Sequence, residues 1–192
     1  MYKEKLIKSC VGIAGCGGLG SNCAVALARI GVGHLIIVDF DIIDQSNLNR
    51  QYFFYNQIGQ KKVFALRDNI NNINPDVSVD AHDIKLSPSS IVSLFQKCDV
   101  IVEAFDLAEM KQMLIETVLT EFPDKYLVAG VGLAGWGNNN SIKTEQYDKL
   151  FICGDMKIEA SQKYPPLAPR VGIVANMQAN QVFEIIMDEI KN

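Results

Sequence analysis

Apolar and polar positions change their spacing twice within the first forty residues. A short apolar run, Cys10 to Ala14, feeds four closely spaced glycines, Gly15, Gly17, Gly18 and Gly20; beyond them Ala24, Leu27, Ala28 and Ile30 recur at helical intervals. A second apolar run, Leu35 to Val38, ends on Asp39. Short apolar runs bounded by glycine predict buried strands, and the three-to-four spacing predicts a helix, so this stretch is a βαβ unit. The alternation continues. Val63, Leu66, Ile70 and Ile73 form a helical stripe over 62–73, stopped by Asn74 and Pro75. Val77 and Val79 alternate with polar neighbours as a short strand, and Pro88 opens a helix whose apolar face is Ile91, Leu94 and Phe95. After Asp99 comes the apolar strand VIVEAFD, then an amphipathic helix from Ala108 to Glu121, then a fifth strand from Tyr126 to Val131. Five strands alternating with helices predict a doubly wound, Rossmann-like α/β sheet, mostly parallel.

Beyond Gly130 the pattern changes. The stretch GVGLAGWGNNNSIKT is rich in glycine and asparagine, and SIKTEQY with KLFIC predicts two short strands joined by a polar turn, adding antiparallel edge strands. QKYPPLAP predicts an extended, proline-stiffened segment without helix. A long helix is predicted over Val171–Ile190, with Ile173, Val174, Met177, Val182, Ile185, Ile186 and Met187 on one side. At 192 residues and 48% apolar content the chain suits one core, hence a single domain over 1–192.

Composition then removes whole classes of function. The net charge is −4 and no basic block occurs, which argues against tracking nucleic-acid phosphates. No apolar run reaches membrane-spanning length, and MYKEKLIKSC lacks a secretory h-region, so a soluble cytoplasmic protein without membrane partners is expected. Cysteines 10, 16, 23, 98 and 153 form no CxxC pair, so neither zinc nor a disulfide framework is expected, and most should be buried thiols. His34 and His82 stand singly at strand edges, where a turn or surface role outweighs metal ligation.

The chemistry concentrates at the first βαβ unit. Glycines let the backbone approach a ligand closely, and the free N–H groups and positive end of the following helix attract an anion, a phosphate above all. Asp39 stands where dinucleotide-binding folds reach a ribose hydroxyl, so a nicotinamide dinucleotide fits this stretch as well as another nucleotide. The connection from Phe40 to the helix near Lys61 far exceeds the roughly 2–6 residues usual for a βα loop. It carries Asp41, Asp44, Asn47, Asn49 and Arg50, with Lys61 and Lys62 at its far end, both signs of charge beside a phosphate-seeking turn.

Five ordered motifs now stand together: GCGGLGS at 15–21, VDFD at 38–41, SNLNRQ at 46–51, GQKK at 59–62 and VGIVANMQAN at 171–180. In this combination the chain resembles the ubiquitin-activating-type (HesA/MoeB/ThiF) adenylyltransferases, most closely the short thiamine-pathway form. The resemblance implies ATP and magnesium as cofactors. It implies a partner, a small ubiquitin-like sulfur-carrier protein whose C-terminal Gly-Gly carboxylate is adenylated with release of pyrophosphate. It further implies Gly15, Gly17, Gly18 and Gly20 at the nucleotide, Asp39 on the ribose, Asn47 near the α-phosphate, Arg50 and Lys62 as phosphate-binding cations, and Asp106 as the magnesium ligand. A capping role ahead of Ala108 is the alternative for Asp106. A homodimer follows by analogy with relatives of this fold.

Three departures accompany the resemblance. The paired CxxC zinc motifs of longer relatives are missing, Leu107 follows Asp106 where many relatives have asparagine, and no arginine precedes Arg29 in the arm that reaches a partner subunit. Lys3, Lys5 and Lys8 are the candidates to replace that arginine. Cys153, in a strand-like context, is expected to be structural rather than a thioester or persulfide nucleophile. Other readings stay open at this point: a molybdopterin-synthase-type carrier or another carboxylate or modified tRNA base within the family, and an NAD(P)-dependent oxidoreductase or an inactive nucleotide-binding partner outside it.

Overall fold

The computed structural model describes residues 2–158 and 160–188. Seven strands form one sheet in the order β3-β2-β1-β4-β5-β7-β6: β1 (Cys10–Ala14), β2 (His34–Asp39), β3 (Ser78–Asp83), β4 (Val100–Glu103), β5 (Tyr126–Val131), β6 (Lys143–Tyr147) and β7 (Leu150–Gly154). All neighbours run parallel except β6, which pairs antiparallel with β7 at the edge. The doubly wound, mostly parallel architecture is the one expected. The 143–154 hairpin has a specific arrangement: β6 descends from the carboxyl edge of the sheet, and β7 returns beside β5, Leu127 opposite Leu150 and Val131 opposite Gly154.

The consecutive apolar runs of β1 and β2 follow from cover on both faces, because a parallel strand buried on two sides cannot alternate with polar residues. Leu35 and Ile37 enter one core with residues of α2 (Gly18–Ile30), α3 (Lys62–Ile73) and α6 (Ala168–Ile186); Ile36 and Val38 enter the other with α4 (Pro88–Phe95) and α5 (Ala108–Glu121). Gly12 lets the Phe95 ring lie on bare backbone, since a β-carbon there would overlap the ring edge. The outer strand β6 is polar and mostly exposed, as an unpaired edge should be.

Two elements depart from expectation. Helix α6 begins at Ala168, inside the segment read as helix-free; Pro169 sits in its first turn, where an N–H would have no intrahelical acceptor. The expected helix ran to Ile190; Ile186 ends it, Met187 and Asp188 form a turn, and 189–192 lie outside the described residues. A short helix α1 (Tyr2–Lys8) precedes β1 with Leu6 as its buried anchor, too little apolar repeat to register as a stripe. Replacing Phe95 by alanine should lower unfolding free energy by about 3–5 kcal/mol in urea denaturation. A loss under about 1 kcal/mol would contradict the packing on Gly12.

Candidate functional site

The carboxyl ends of β1, β2, β4 and β5 open onto a cavity of about 1240 Å³ whose wall includes Gly15, Gly17, Gly18, Asp39, Arg50, Lys62 and Asp106. Each arrives by a separate device. Gly15 has φ +99°, and an added β-carbon would press on the Ala104 carbonyl, so the β1–α2 turn can close only on glycine. Gly20 lies within the first turn of α2, where a side chain would overlap the Gly15 carbonyl; it packs against that turn and does not line the cavity. Helix α2 starts at Gly18 without a side-chain cap, directing its first N–H groups toward the cavity mouth.

Asp39 ties the glycine turn to the next loop. Its Oδ2 accepts the Cys16 N–H at 2.6 Å and its Oδ1 accepts the Asp41 N–H at 2.8 Å. The long 40–61 excursion is itself ordered. Residues Gln45–Asn49 form a 3-10 turn in which Asp44 accepts the Ser46 N–H and the Asn47 side chain accepts the Asp44 N–H, so Asn47 closes this turn and is not part of the cavity wall. Asn22 of α2 donates to the Arg50 carbonyl at 2.9 Å, and Ser21 accepts the Tyr52 N–H at 2.9 Å. Arg50 is thereby fastened across the start of α2, its stem against Gly18 and its Nη1 donating to Asn49 Oδ1 at 2.7 Å and the Ser46 carbonyl at 3.2 Å.

Lys62, the first residue of α3, is buried, and its Nζ donates to Asp41 Oδ2 at 2.7 Å. The second cation therefore sits in a low-dielectric wall beside one carboxylate, where its field on a bound anion is poorly screened. Asp106 is exposed on the cavity wall after β4. The N-cap position of α5 is Leu107, with no side-chain cap, so Asp106 does not act as a helix cap. Among the described residues, no group of three or more His, Cys, Asp or Glu could hold a metal ion. A single carboxylate fits magnesium carried in on nucleotide phosphates, since that ion keeps most of its waters and takes one or two protein oxygens. Lys5, a candidate to replace the arm arginine, donates in its own chain to the Met187 carbonyl at 2.8 Å and to Asp188 at 3.2 Å.

Two ion pairs built on buried carboxylates were not singled out from sequence. Glu103, at the end of β4, is buried and pairs with Lys111; its Oε1 accepts the Phe105 N–H at 2.8 Å, holding the bend that presents Asp106. Burial pushes the Glu103 carboxyl up, against the opposing pull of Lys111 and the Phe105 N–H. Arg170 of α6 pairs with Asp155 and donates to the carbonyls of Gly137 at 2.6 Å and Gly132 at 3.4 Å. Burial opposes Asp155 ionisation, but the N–H groups of Ile158 and Lys157 together with Arg170 prevail and hold its carboxyl below the usual range. This knot shapes the far wall, which includes Gly132, Leu133, Ala134, Met156, Lys157 and Ile158. A carboxylate inside an apolar strand, VIVE, was the sequence signal for the first pair; nothing local signalled the second. Cys16, Cys23, Cys98 and Cys153 are buried and Cys10 is half-buried; Cys153 is not in the cavity wall, and burial raises its thiol.

The ThiF family model matches residues 2–192. The chain belongs to the ThiF family. It is 40% identical over 54% of its length to the probable adenylyltransferase/sulfurtransferase MoeZ of Mycobacterium tuberculosis, covering 27% of that protein. To ubiquitin-like modifier-activating enzyme 5 of Bombyx mori it is 30% identical over 90% of its length, covering 46% of the relative. The chain thus spans less than half of these curated ThiF-family relatives. Among solved structures, E. coli tRNA N6-threonylcarbamoyladenosine dehydratase, TcdA, in complex with AMP superposes with a TM-score of 0.89 at 18% identity, over 98% of this chain and 90% of that one. At that identity the likeness speaks for the fold. No helix among the described residues is long and apolar enough to cross a membrane.

Asp155 links the far wall to pH. A carboxyl held low in the folded state stabilises fully above its unfolded pKa near 3.9, and that contribution is lost as pH falls through the folded value. Melting temperature should therefore fall more steeply for the parent than for Asp155→Asn between about pH 5 and pH 2. Parallel profiles would separate Asp155 from acid stability.

Proposed function

We propose that this chain catalyses ATP-dependent adenylation of a carboxylate, the C-terminal glycine of a small ubiquitin-like sulfur-carrier protein of the thiamine-pathway type. The observation that carries the reading is the convergence of Arg50, Lys62 and the uncapped start of α2 on one cavity. Those are three sources of positive potential from different parts of the chain. A carboxylate attacking a polyanionic nucleotide meets repulsion, and charge gathers on the leaving pyrophosphate; preorganised cations are what such a reaction needs most. A nicotinamide dinucleotide has no comparable demand for a buried lysine. Membership of a family whose relatives include adenylyltransferases supports the same choice.

In this reading Asp39, already rigid through its two backbone partners, accepts from the ribose hydroxyls with its remaining lone pairs. The glycine turn and the first N–H groups of α2 receive the phosphates. The carrier carboxylate attacks the α-phosphorus; the new O–P bond forms as the bond to the bridging oxygen breaks, and pyrophosphate departs toward Arg50 and Lys62. Asp106 would hold magnesium, which supplies further charge neutralisation at the phosphates. The cavity exceeds the roughly 300–1,000 Å³ common for small-molecule pockets, which leaves room for an extended peptide tail beside the nucleotide. The Bombyx mori relative is named for activating a ubiquitin-like modifier, in keeping with such a tail. The acidic net charge of −4 disfavours the tRNA that the TcdA name specifies. A cytoplasmic homodimer completes the proposal.

The test is ATP–pyrophosphate exchange with thiamine-type and molybdopterin-type carriers side by side. Exchange is expected with the thiamine-type carrier, and Arg50→Ala or Lys62→Met should each lower it by about 10²–10³-fold. Asp106→Ala should abolish the magnesium-dependent exchange, and undiminished exchange would remove Asp106 from the mechanism. Thermal stabilisation by NAD but not by ATP with magnesium would overturn the assignment, and exchange with the molybdopterin-type carrier alone would overturn the choice of partner.

A further inference from the structure

At the end of the sheet opposite the cavity, two thiols lie in contact. Cys10 opens β1, and Cys98 stands just before β4; their sulfurs are 3.7 Å apart. The backbone on either side is clamped. Asp99 accepts the Cys10 N–H on its carboxylate at 2.8 Å and donates its own N–H to the Cys10 carbonyl at 2.8 Å, while Lys125 Nζ donates to the Cys98 carbonyl at 2.5 Å. These bonds hold both cysteines at the start of the β1–β4 ladder, which opens with Val11 opposite Val100. Their environments differ: Cys10 is half-buried and reachable from solvent, whereas Cys98 is buried under α4 against Gly12.

We propose that Cys10 and Cys98 form a dithiol site that reacts with hydroperoxides to give a reversible intrachain disulfide. Cys10 is the attacking thiol and Cys98 the resolving one. The Cys10 thiolate attacks one peroxide oxygen; an S–O bond forms, the O–O bond breaks, and the departing hydroxide or alkoxide takes a proton and leaves as water or alcohol. Sulfur loses two electrons and the peroxide gains them. The Cys98 sulfur then attacks the Cys10 sulfenic acid, forming the S–S bond as the S–O bond breaks, and the released hydroxide carries off the Cys98 proton as water. Two equivalents of a small thiol restore both cysteines by exchange: the first opens the S–S bond to a mixed disulfide, and the second frees the remaining cysteine and leaves as the oxidised small-molecule disulfide.

The local chemistry suits this division. The hydrogen bond from Cys98 lowers the Cys10 thiol to about 7 against the desolvation that would raise it, with His34 helping and Asp99 and Asp80 opposing. The Cys98 thiol is pushed up, first by its bond to Cys10 and then by burial, with Lys125 the opposing charge. His34 is opposite Cys10 in the β1–β2 ladder and is held by Asp80 at 3.0 Å. Cys16, Cys23 and Cys153 are each buried with raised thiols and should stay inert. Since β1 rises about 3.3 Å per residue, the pair lies roughly 16 Å below the glycine turn. The bond would join β1 to β4 without entering the cavity, independently of the reaction proposed there.

The full chain is treated with hydrogen peroxide and analysed without reductant. Intact mass should fall by about 2 Da, with Cys10 and Cys98 in one cross-linked peptide, reversed by dithiothreitol. Cys10→Ser should abolish the loss. Cys98→Ser, whose hydroxyl can still donate to the Cys10 sulfur, should instead leave a Cys10 sulfenic acid captured by dimedone; if that variant misfolds, the parent read by differential alkylation should lose Cys10 and Cys98 reactivity together on peroxide treatment. The oxidised parent should melt higher than the reduced one and keep its response to ATP. Gain of two oxygens on Cys10, linkage through Cys16, Cys23 or Cys153, cross-linked dimers, or no mass loss while Cys10 still alkylates would each overturn the proposal.

Discussion

The Asp39 carboxylate, gripping one N–H on each side of the cavity mouth, is the constraint from which the site is built. One oxygen fixes Cys16 in the glycine turn; the other fixes Asp41 at the root of the 40–61 excursion. Because Asp41 in turn holds Lys62, the position of the buried ammonium is coupled through two successive carboxylates to the glycine turn on the cavity wall. A charged acceptor bound by backbone donors is among the stronger hydrogen-bonding arrangements, and here it replaces flexibility with a fixed spacing. Arg50 reaches the same wall by an independent route, through Asn22 and Ser21 of α2.

That organisation explains what could be read from residues and what could not. Strand and helix runs were legible because local spacing carries them: the helix over 108–121 and the strand over 126–131 occupy the expected limits. The glycine turn was legible because φ +99° at Gly15 leaves no other residue type comfortable. Gly20 was harder. In the sequence it looks like part of the ligand turn, and its contact with the Gly15 carbonyl appears only once α2 has folded back. Asn47 likewise reads as a polar group near a phosphate, yet its side chain closes the turn that delivers Arg50. Helix α6 began early because a proline is harmless in a first turn, whatever it signals in the middle of a helix.

The two ion pairs were harder to read for a different reason: VIVE signals a buried carboxylate in the first but not its partner, and nothing local signals the second. Glu103 with Lys111 spans 8 positions and Asp155 with Arg170 spans 15, and neither has a local period. Buried pairs of this kind contribute little net stability, because removing two charges from water offsets most of their attraction. Their value here is geometric. Glu103 fixes the bend before Asp106, and Arg170 gathers the carbonyls of Gly132 and Gly137 with Asp155 into one cluster behind the far wall.

The two walls of the cavity therefore rest on separate foundations, the near one on β1, β2 and α2, the far one on a clamp between α6 and the loops flanking the 143–154 hairpin. Separation of this kind lets inheritance work on them unequally. Mutations could remodel the far wall while the glycine turn, Asp39 and Lys62 keep their spacing, so a lineage carrying this scaffold can change the shape of one side of the cavity without disturbing the other.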